Sequence, residues 1–277
     1  MITGRTRLIA HLGVPTESFT APMIYNPYFE AEGIAAAVMP MGVEPADFPA
    51  FLPLLFRLRN IAGALITMPH KVTAAGLVDR LGPSATICGA CNAVRREADG
   101  SLTGEMFDGE GFLRGLRRKG RDPAGASALI VGAGGVGAAI AASLAAAGCA
   151  RLGLHDAREG AATALAARLA ARYPQLDVTV GARDPAGLDI AVNATPLGMT
   201  PGDPLPFDTA GLSPGTLVGE VVLQPAETPL IAAARARGCE TQIGTDMLFE
   251  QIPAYLDFFG LPSTTSETLR RLARLTQ

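Results

Sequence analysis

The residues best suited to chemistry are Gly132-Ala133-Gly134-Gly135-Val136-Gly137. They follow the apolar run Ala128-Leu129-Ile130-Val131 and open an uncharged, alanine-rich stretch. A glycine turn between a buried strand and a helix suits a dinucleotide pyrophosphate. The first glycine permits the tight turn, the second lets backbone approach the anion, and the third lets helix pack on strand. The helix N-terminus adds unpaired N–H groups and a favourable dipole. Asp156 ends the next apolar segment. A carboxylate there can accept from both ribose hydroxyls and repels a 2′-phosphate, so NAD is the expected cofactor. Arg158 could instead pair with such a phosphate, which leaves NADP open.

Other reactive residues point nowhere specific. Cys88 and Cys91 have CxxC spacing, but no Cys or His cluster supplies two further ligands, so no metal centre is expected. Cys149 and Cys239 complete the four cysteines. With no secretory leader, a disulfide framework is not expected and a cytoplasmic protein is. His70 lies where a helix opens and is expected to be satisfied by backbone.

These residues need a scaffold. Arg7-Leu8-Ile9-Ala10-His11-Leu12-Gly13 reads as a first strand. Helices are expected over 23–32 and 45–59, with strands at 34–40 and 64–68. Pro69-His70-Lys71 suits the first turn of a helix. Residues 92–97 and 101–103 flank Asp99-Gly100, a hairpin signal. Gly, Pro and charge cluster over 119–127, and five basic residues fall between Arg114 and Arg121, read as a solvated helix end. Beyond the glycine loop, strands are expected at 151–155, 177–180, 190–193, 217–222 and 241–244. Helices are expected over 138–147, 160–173 and 228–237, and from Met247 onward. This alternation predicts an α/β protein: an N-terminal α/β region plus a Rossmann-type doubly wound dinucleotide-binding domain.

At 277 residues with 48% hydrophobic content, two modest cores can form. The net charge of −3 and the lack of a basic tract argue against nucleic acid. Residues 123–150 carry no charge and are long enough to span a membrane. Their six glycines fit a buried strand, turn and helix better, so no membrane segment is expected.

Five further fragments complete the pattern: Thr67-Met68-Pro69-His70-Lys71, Gly89-Ala90-Cys91-Asn92-Ala93-Val94, Asp108-Gly109-Glu110-Gly111-Phe112, Val192-Asn193-Ala194-Thr195-Pro196-Leu197-Gly198-Met199 and Gly244-Thr245-Asp246-Met247-Leu248-Phe249-Glu250-Gln251. Together with the glycine loop, they resemble the shikimate/quinate dehydrogenase family nearly end to end. The resemblance implies a substrate domain over 1–107, completed by helices in 243–277, and a Rossmann domain over 108–242. It implies reversible hydride transfer between a nicotinamide cofactor and a cyclic hydroxy acid, as between shikimate and 3-dehydroshikimate. Lys71 would be the catalytic lysine and Asp108 its partner. Thr67, Asn92 and Gln251 would hold substrate hydroxyls, and Thr195, Gly244 and Met247 would lie near the cofactor. The chemistry is coherent in itself. Oxidising a carbinol needs a group that takes the hydroxyl proton and returns it in reverse, and a lysine in a closed cleft can do so.

The chain departs from the family around the expected pocket. The two serines that bind the substrate carboxylate in the family fall at Phe19 and Ala21, with Ser18 and Thr20 each one residue out of register. Leu65, Met106-Phe107 and Leu223-Gln224 replace other polar positions. The expectation is therefore a divergent member that oxidises shikimate or quinate poorly and prefers a less hydroxylated relative, with shikimate itself the substrate if these positions lie outside the pocket. The alternative is a catalytically weak dinucleotide- or metabolite-binding regulatory module on the same fold. A homodimer is expected on base rate alone.

Overall fold

A computed structural model describes residues 2–17 and 19–275. The chain divides into two compact units. One runs to Phe107 and resumes at Ile252; the other spans Asp108–Gln251.

In the first unit the order is β1 (Arg7–Gly13), α1 (Pro22–Ala31), β2 (Ala36–Gly42), α2 (Phe48–Leu55), β3 (Ile61–Ile66), α3 (Lys71–Ala75), β4 (Arg80–Leu81), α4 (Pro83–Cys88), β5 (Ala93–Arg96) and β6 (Leu102–Glu105). Six strands form one sheet in the order β2-β1-β3-β5-β6-β4. β1 runs parallel to β2 and β3, and β5 runs antiparallel to β3 and β6. The C-terminal ends of β1 and β3 are buried, which is why they read as apolar runs in the sequence. α2 is shorter than the expected 45–59. Pro49 is tolerated in its first turn, but Pro53 removes a helix donor and the helix ends two residues later. β3 stops at Ile66 rather than at Met68, since Pro69 cannot join a ladder.

The second unit runs α5 (Asp108–Arg118), β7 (Ser127–Val131), α6 (Gly135–Ala146), β8 (Arg151–His155), α7 (Ala161–Arg172), β9 (Asp177–Val180), β10 (Ile190–Asn193), β11 (Leu217–Glu220), α8 (Pro229–Ala236), β12 (Glu240–Gln242) and the first half of α9 (Gly244–Phe258). All six strands are parallel, in the order β9-β8-β7-β10-β11-β12. Counted from β7, this is the doubly wound order 3-2-1-4-5-6, with the reversal between β7 and β10. Ligands of such sheets bind beyond the strand C-termini at that reversal.

The chain rejoins the first unit at Ile252, not at the expected 243. The physical reason lies in α9, which is one continuous helix whose first turns are tied to α5. Arg118 pairs with Glu250 at 3.0 Å, and Lys119 with Asp246 at 3.4 Å. A Cβ on Gly111 would stand 2.7 Å from the Met247 carbonyl oxygen, so the two helix backbones nearly touch. The tail is broken before α10 (Ser266–Leu272), where Gly260 adopts φ +62° and Pro262 follows. Among the described residues, no helix is long and apolar enough to cross a membrane.

Candidate active site

In the first unit, Thr67, Lys71 and Asn92 are drawn together by backbone hydrogen bonds. Thr67 N–H donates to Leu12 O at 2.9 Å, which sets the loop after β3 against the end of β1. His70 N–H donates to Thr67 O, closing the turn that opens α3. Cys91 N–H donates to Lys71 O at 3.0 Å, and Ile66 N–H to Asn92 O at 2.8 Å. Lys71 and Asn92 are thus anchored to neighbouring backbone, although they are distant in sequence. Asn92 is buried, and its Oδ1 accepts from Phe107 N–H at 2.9 Å. That bond fixes which way the carboxamide points. Lys71 is half-buried at the first residue of α3.

His70 has a structural task. Its Nε2 lies 2.8 Å from Val43 O, and its ring stacks on Phe48 at 4.1 Å, nearly parallel. Cys91 is buried, and burial, with Glu105 adding, pushes its thiol up to about 12 against the opposing charge of Lys71. It packs against Gly104. Neither residue is arranged for proton transfer or nucleophilic attack.

In the second unit, the glycine loop joins β7 to α6 at the sheet reversal. Gly132 has φ +106°, and a Cβ there would stand 2.5 Å from Ala194 O. A Cβ on Gly137 would lie 1.8 Å from Gly132 O. Both sites exclude any side chain, and the turn leaves α6 opening at Gly135 with Gly134 as its cap. This is the cradle a pyrophosphate needs. We expect Gly137→Ala to cost about 3 kcal/mol of stability, the upper range for overpacking against backbone, and to abolish dinucleotide binding. Gly135→Ala, whose Cβ meets open space, should melt within about 2 °C of the parent because alanine favours the helix. Equal melting of the two variants would contradict the crowding argument.

Asp156 follows β8. Its Oδ2 accepts from Ala133 N–H at 2.7 Å, and Oδ1 accepts from Arg158 N–H at 2.8 Å. The Arg158 guanidinium folds back onto the same carboxylate through Nε and Nη2. Burial alone would raise the Asp156 pKa. The bonds from Arg158 and Ala133, with the Arg158 charge, outweigh it and hold the carboxyl below its ordinary value. Thr195 is fixed in turn: its Oγ1 and N–H both donate to Asn193 Oδ1, and it accepts from Leu197 N–H. Gly244 lets the start of α9 approach Val222 O, and Met247 is buried one turn on.

Asp108 is buried at the start of α5. The glycines that follow it have a packing reason. A Cβ on Gly109 would stand 2.0 Å from Ala139 O of α6, and Gly111 meets α9. Asp108 is therefore set by three closely packed helices. Gln251 is buried on α9, and its Oε1 has no hydrogen-bond partner among the described residues. An orphaned buried oxygen of this kind calls for a partner, which a ligand or a water can supply.

Comparison with known proteins decides the family. Residues 12–94 match the model of the shikimate dehydrogenase substrate binding domain. Over 254 residues the chain is 41% identical to the shikimate dehydrogenase (NADP(+)) of Rubrobacter xylanophilus, covering 90% of this chain and 89% of that one. The chain belongs to the shikimate dehydrogenase family. Among solved structures it resembles shikimate 5-dehydrogenase from Listeria monocytogenes, determined in complex with shikimate and NAD. That match has a TM-score of 0.90 and 26% identity, over 98% of this chain and 97% of that one. The ligand-free 5-ketofructose reductase of a Gluconobacter strain matches at TM-score 0.88 and 26% identity, over 98% of both chains.

Within this shikimate dehydrogenase family member, two functional candidates escaped the sequence reading. Glu220, at the end of β11, is fully buried. It accepts from Asn193 Nδ2, Thr228 Oγ1 and the N–H groups of Val221 and Val222. Burial raises its pKa against those bonds. The same Asn193 holds Thr195, so Glu220 anchors the loop after β10. His11, in β1, is buried with its Nδ1 unpartnered among the described residues. Both interrupt apolar strands, and a titratable residue in such a run was the available signal. Of the expected replacements, Leu65 and Met106 are buried, while Phe107 packs on Tyr255 and Phe258 at 4.9 and 5.3 Å. Ser18 lies outside the described residues. Thr20 is half-buried.

Proposed function

We propose that this protein is a nicotinamide-dependent dehydrogenase that interconverts a ring alcohol of the shikimate type and its ketone. Thr67 and Asn92 of the first unit, together with Gln251 at the end of the second, would take the hydroxyls of the alcohol. The second would hold the dinucleotide on the loop 132–137, flanked by Thr195, Gly244 and Met247. Lys71 would accept the carbinol proton and return it in reverse, with Asp108 as the carboxylate that orients it. When bound, the nicotinamide supplies the two-electron acceptor. The observation that carries this reading is one chain presenting both a side-chain-free pyrophosphate cradle and a lysine anchored beside a buried, oriented carboxamide. A regulatory module without catalysis would have no use for Lys71 and Asp108, and both are present.

NAD is the cofactor we propose, with NADP the weaker partner. Asp156 is kept ionised and sits at the glycine loop, where it would accept from the ribose hydroxyls and repel a 2′-phosphate. The Arg158 guanidinium would turn to such a phosphate by giving up the two hydrogen bonds it now donates to Asp156. The NADP(+) in the Rubrobacter enzyme's name is the competing expectation. The test is the appearance of reduced nicotinamide from ring alcohols of this class, measured with both cofactors in parallel. No cofactor reduction with any of them would remove the dehydrogenase reading.

A further inference from the structure

The proposed chemistry uses neither His11 nor Phe19, yet both lie among the substrate-side residues of the first unit. His11 is buried, and its Nδ1 has no hydrogen-bond partner among the described residues. Phe19 stacks on it, with ring centroids 4.1 Å apart and planes at 27°. The Phe19 ring edge and the Thr67 methyl both crowd the space above Gly13, at 2.9 and 2.4 Å from where a Cβ would stand. Phe19, His11 and Thr67 therefore enclose one corner at the end of β1. Lys71 is near enough for its charge to act on His11.

We infer that the His11–Phe19 pair is the specificity wall of the substrate site, selecting an uncharged ring alcohol over a carboxylic acid. The choice of ligand class rests on the dehydrogenase reading above. A carboxylate taken out of water needs a cation or several N–H donors against it. This wall offers a phenyl ring and an imidazole that burial, with the Lys71 charge, lowers to about 4, so it carries no charge near neutral pH. Lys71 is the cation at hand, and the proposed reaction commits it to the carbinol. A hydroxyl both donates and accepts, so it suits Nδ1 in either tautomer of His11. The C–H face of a ring alcohol packs on Phe19 as other apolar groups pack on aromatic rings. Nδ1 is buried, and Phe19 is the ring stacked on its imidazole.

The test is calorimetric binding to the full-length protein with two probes: shikimate, and its uncharged counterpart bearing a hydroxymethyl group in place of the carboxylate. Phe19→Ser and His11→Val are measured beside the parent, with dinucleotide affinity as the check on folding. The parent should bind the uncharged probe at least about tenfold more tightly than shikimate. Phe19→Ser should shrink that ratio about tenfold by admitting a hydroxyl donor for the carboxylate, and His11→Val should weaken the uncharged probe alone. If His11→Val fails the folding check, Phe19→Ser decides the matter. Equal or tighter binding of shikimate by the parent, no binding of either probe, or an unmoved ratio in Phe19→Ser would overturn the inference. Turnover separates the two readings. An uncharged probe that binds preferentially but is never oxidised sinks the dehydrogenase reading and leaves the wall standing. Efficient oxidation of shikimate, bound at least as tightly, does the reverse.

Discussion

Lys71→Ala should lower kcat by about a thousandfold, the middle of the range for removing a general acid–base. Substrate binding should change by no more than about threefold, because the hydroxyl partners Thr67, Asn92 and Gln251 remain. Lys71→Arg should be nearly as inactive. Arginine keeps the positive charge but does not release a proton in this pH range. The pair of variants separates two roles that a lysine can play. If Lys71 only held charge near the ring, arginine would restore most of the rate. If it moves the proton, arginine fails with alanine. The backbone should tolerate both changes, since Lys71 is half-buried at a helix start and its carbonyl keeps the bond from Cys91 N–H whatever the side chain. Steady-state kinetics on the two variants make the check, and near-normal turnover in either would remove Lys71 from proton transfer.

The second large effect concerns Asp156. The parent should show kcat/KM for NAD at least about tenfold above that for NADP, as expected when a carboxylate faces the extra phosphate. Asp156→Asn keeps the shape and can still accept from Ala133 N–H, but it discards the charge. It should lower kcat/KM for NAD about tenfold, the cost of weakening a charged hydrogen bond. NADP should improve by a similar factor as Arg158, released from its ion pair at 3.1 Å, becomes available to the phosphate. A parent that prefers NADP, or a ratio unmoved by the substitution, would contradict the role assigned to Asp156.

The sequence was most readable where local pattern and burial agree. The bounds of β1 and β10 follow directly from apolar runs ended by polar or glycine residues. The turn at Asp99-Gly100 lies between antiparallel β5 and β6, as its residues demand. The glycine loop was legible because Gly137 admits no Cβ, which leaves a mark in residue type. The short pieces were not legible. β4 has two residues and α4 is a six-residue helix, too brief for any period to emerge. The tail reads as helical from Met247 onward, but where one helix ends and the next begins, around Gly260 and Pro262, does not show in its composition.

At the site, Lys71, Asn92 and Asp108 were visible only through motif, since nothing in their local spacing says that Lys71 O meets Cys91 N–H. His11 and Glu220 were missed for the opposite reason. Each looks like an ordinary polar interruption until the strand around it is known to be buried. The partner of Glu220 is Asn193, on a neighbouring strand 27 residues away, a pairing set by sheet order rather than by sequence distance. Phe19 was seen as a loss of hydroxyl. Only its stacking on His11 gives that loss a direction.

The central claim is that the chain moves two electrons from a ring carbinol to a bound nicotinamide. It is tested most directly with a ring alcohol carrying deuterium on the carbinol carbon, incubated with the parent protein and NAD. Mass spectrometry of the reduced cofactor should find the label on the nicotinamide ring in proportion to ketone formed, and Lys71→Ala should form both about a thousandfold more slowly. Ketone formed while the reduced cofactor stays unlabelled, or no reduction across the ring alcohols with either dinucleotide, would contradict the account.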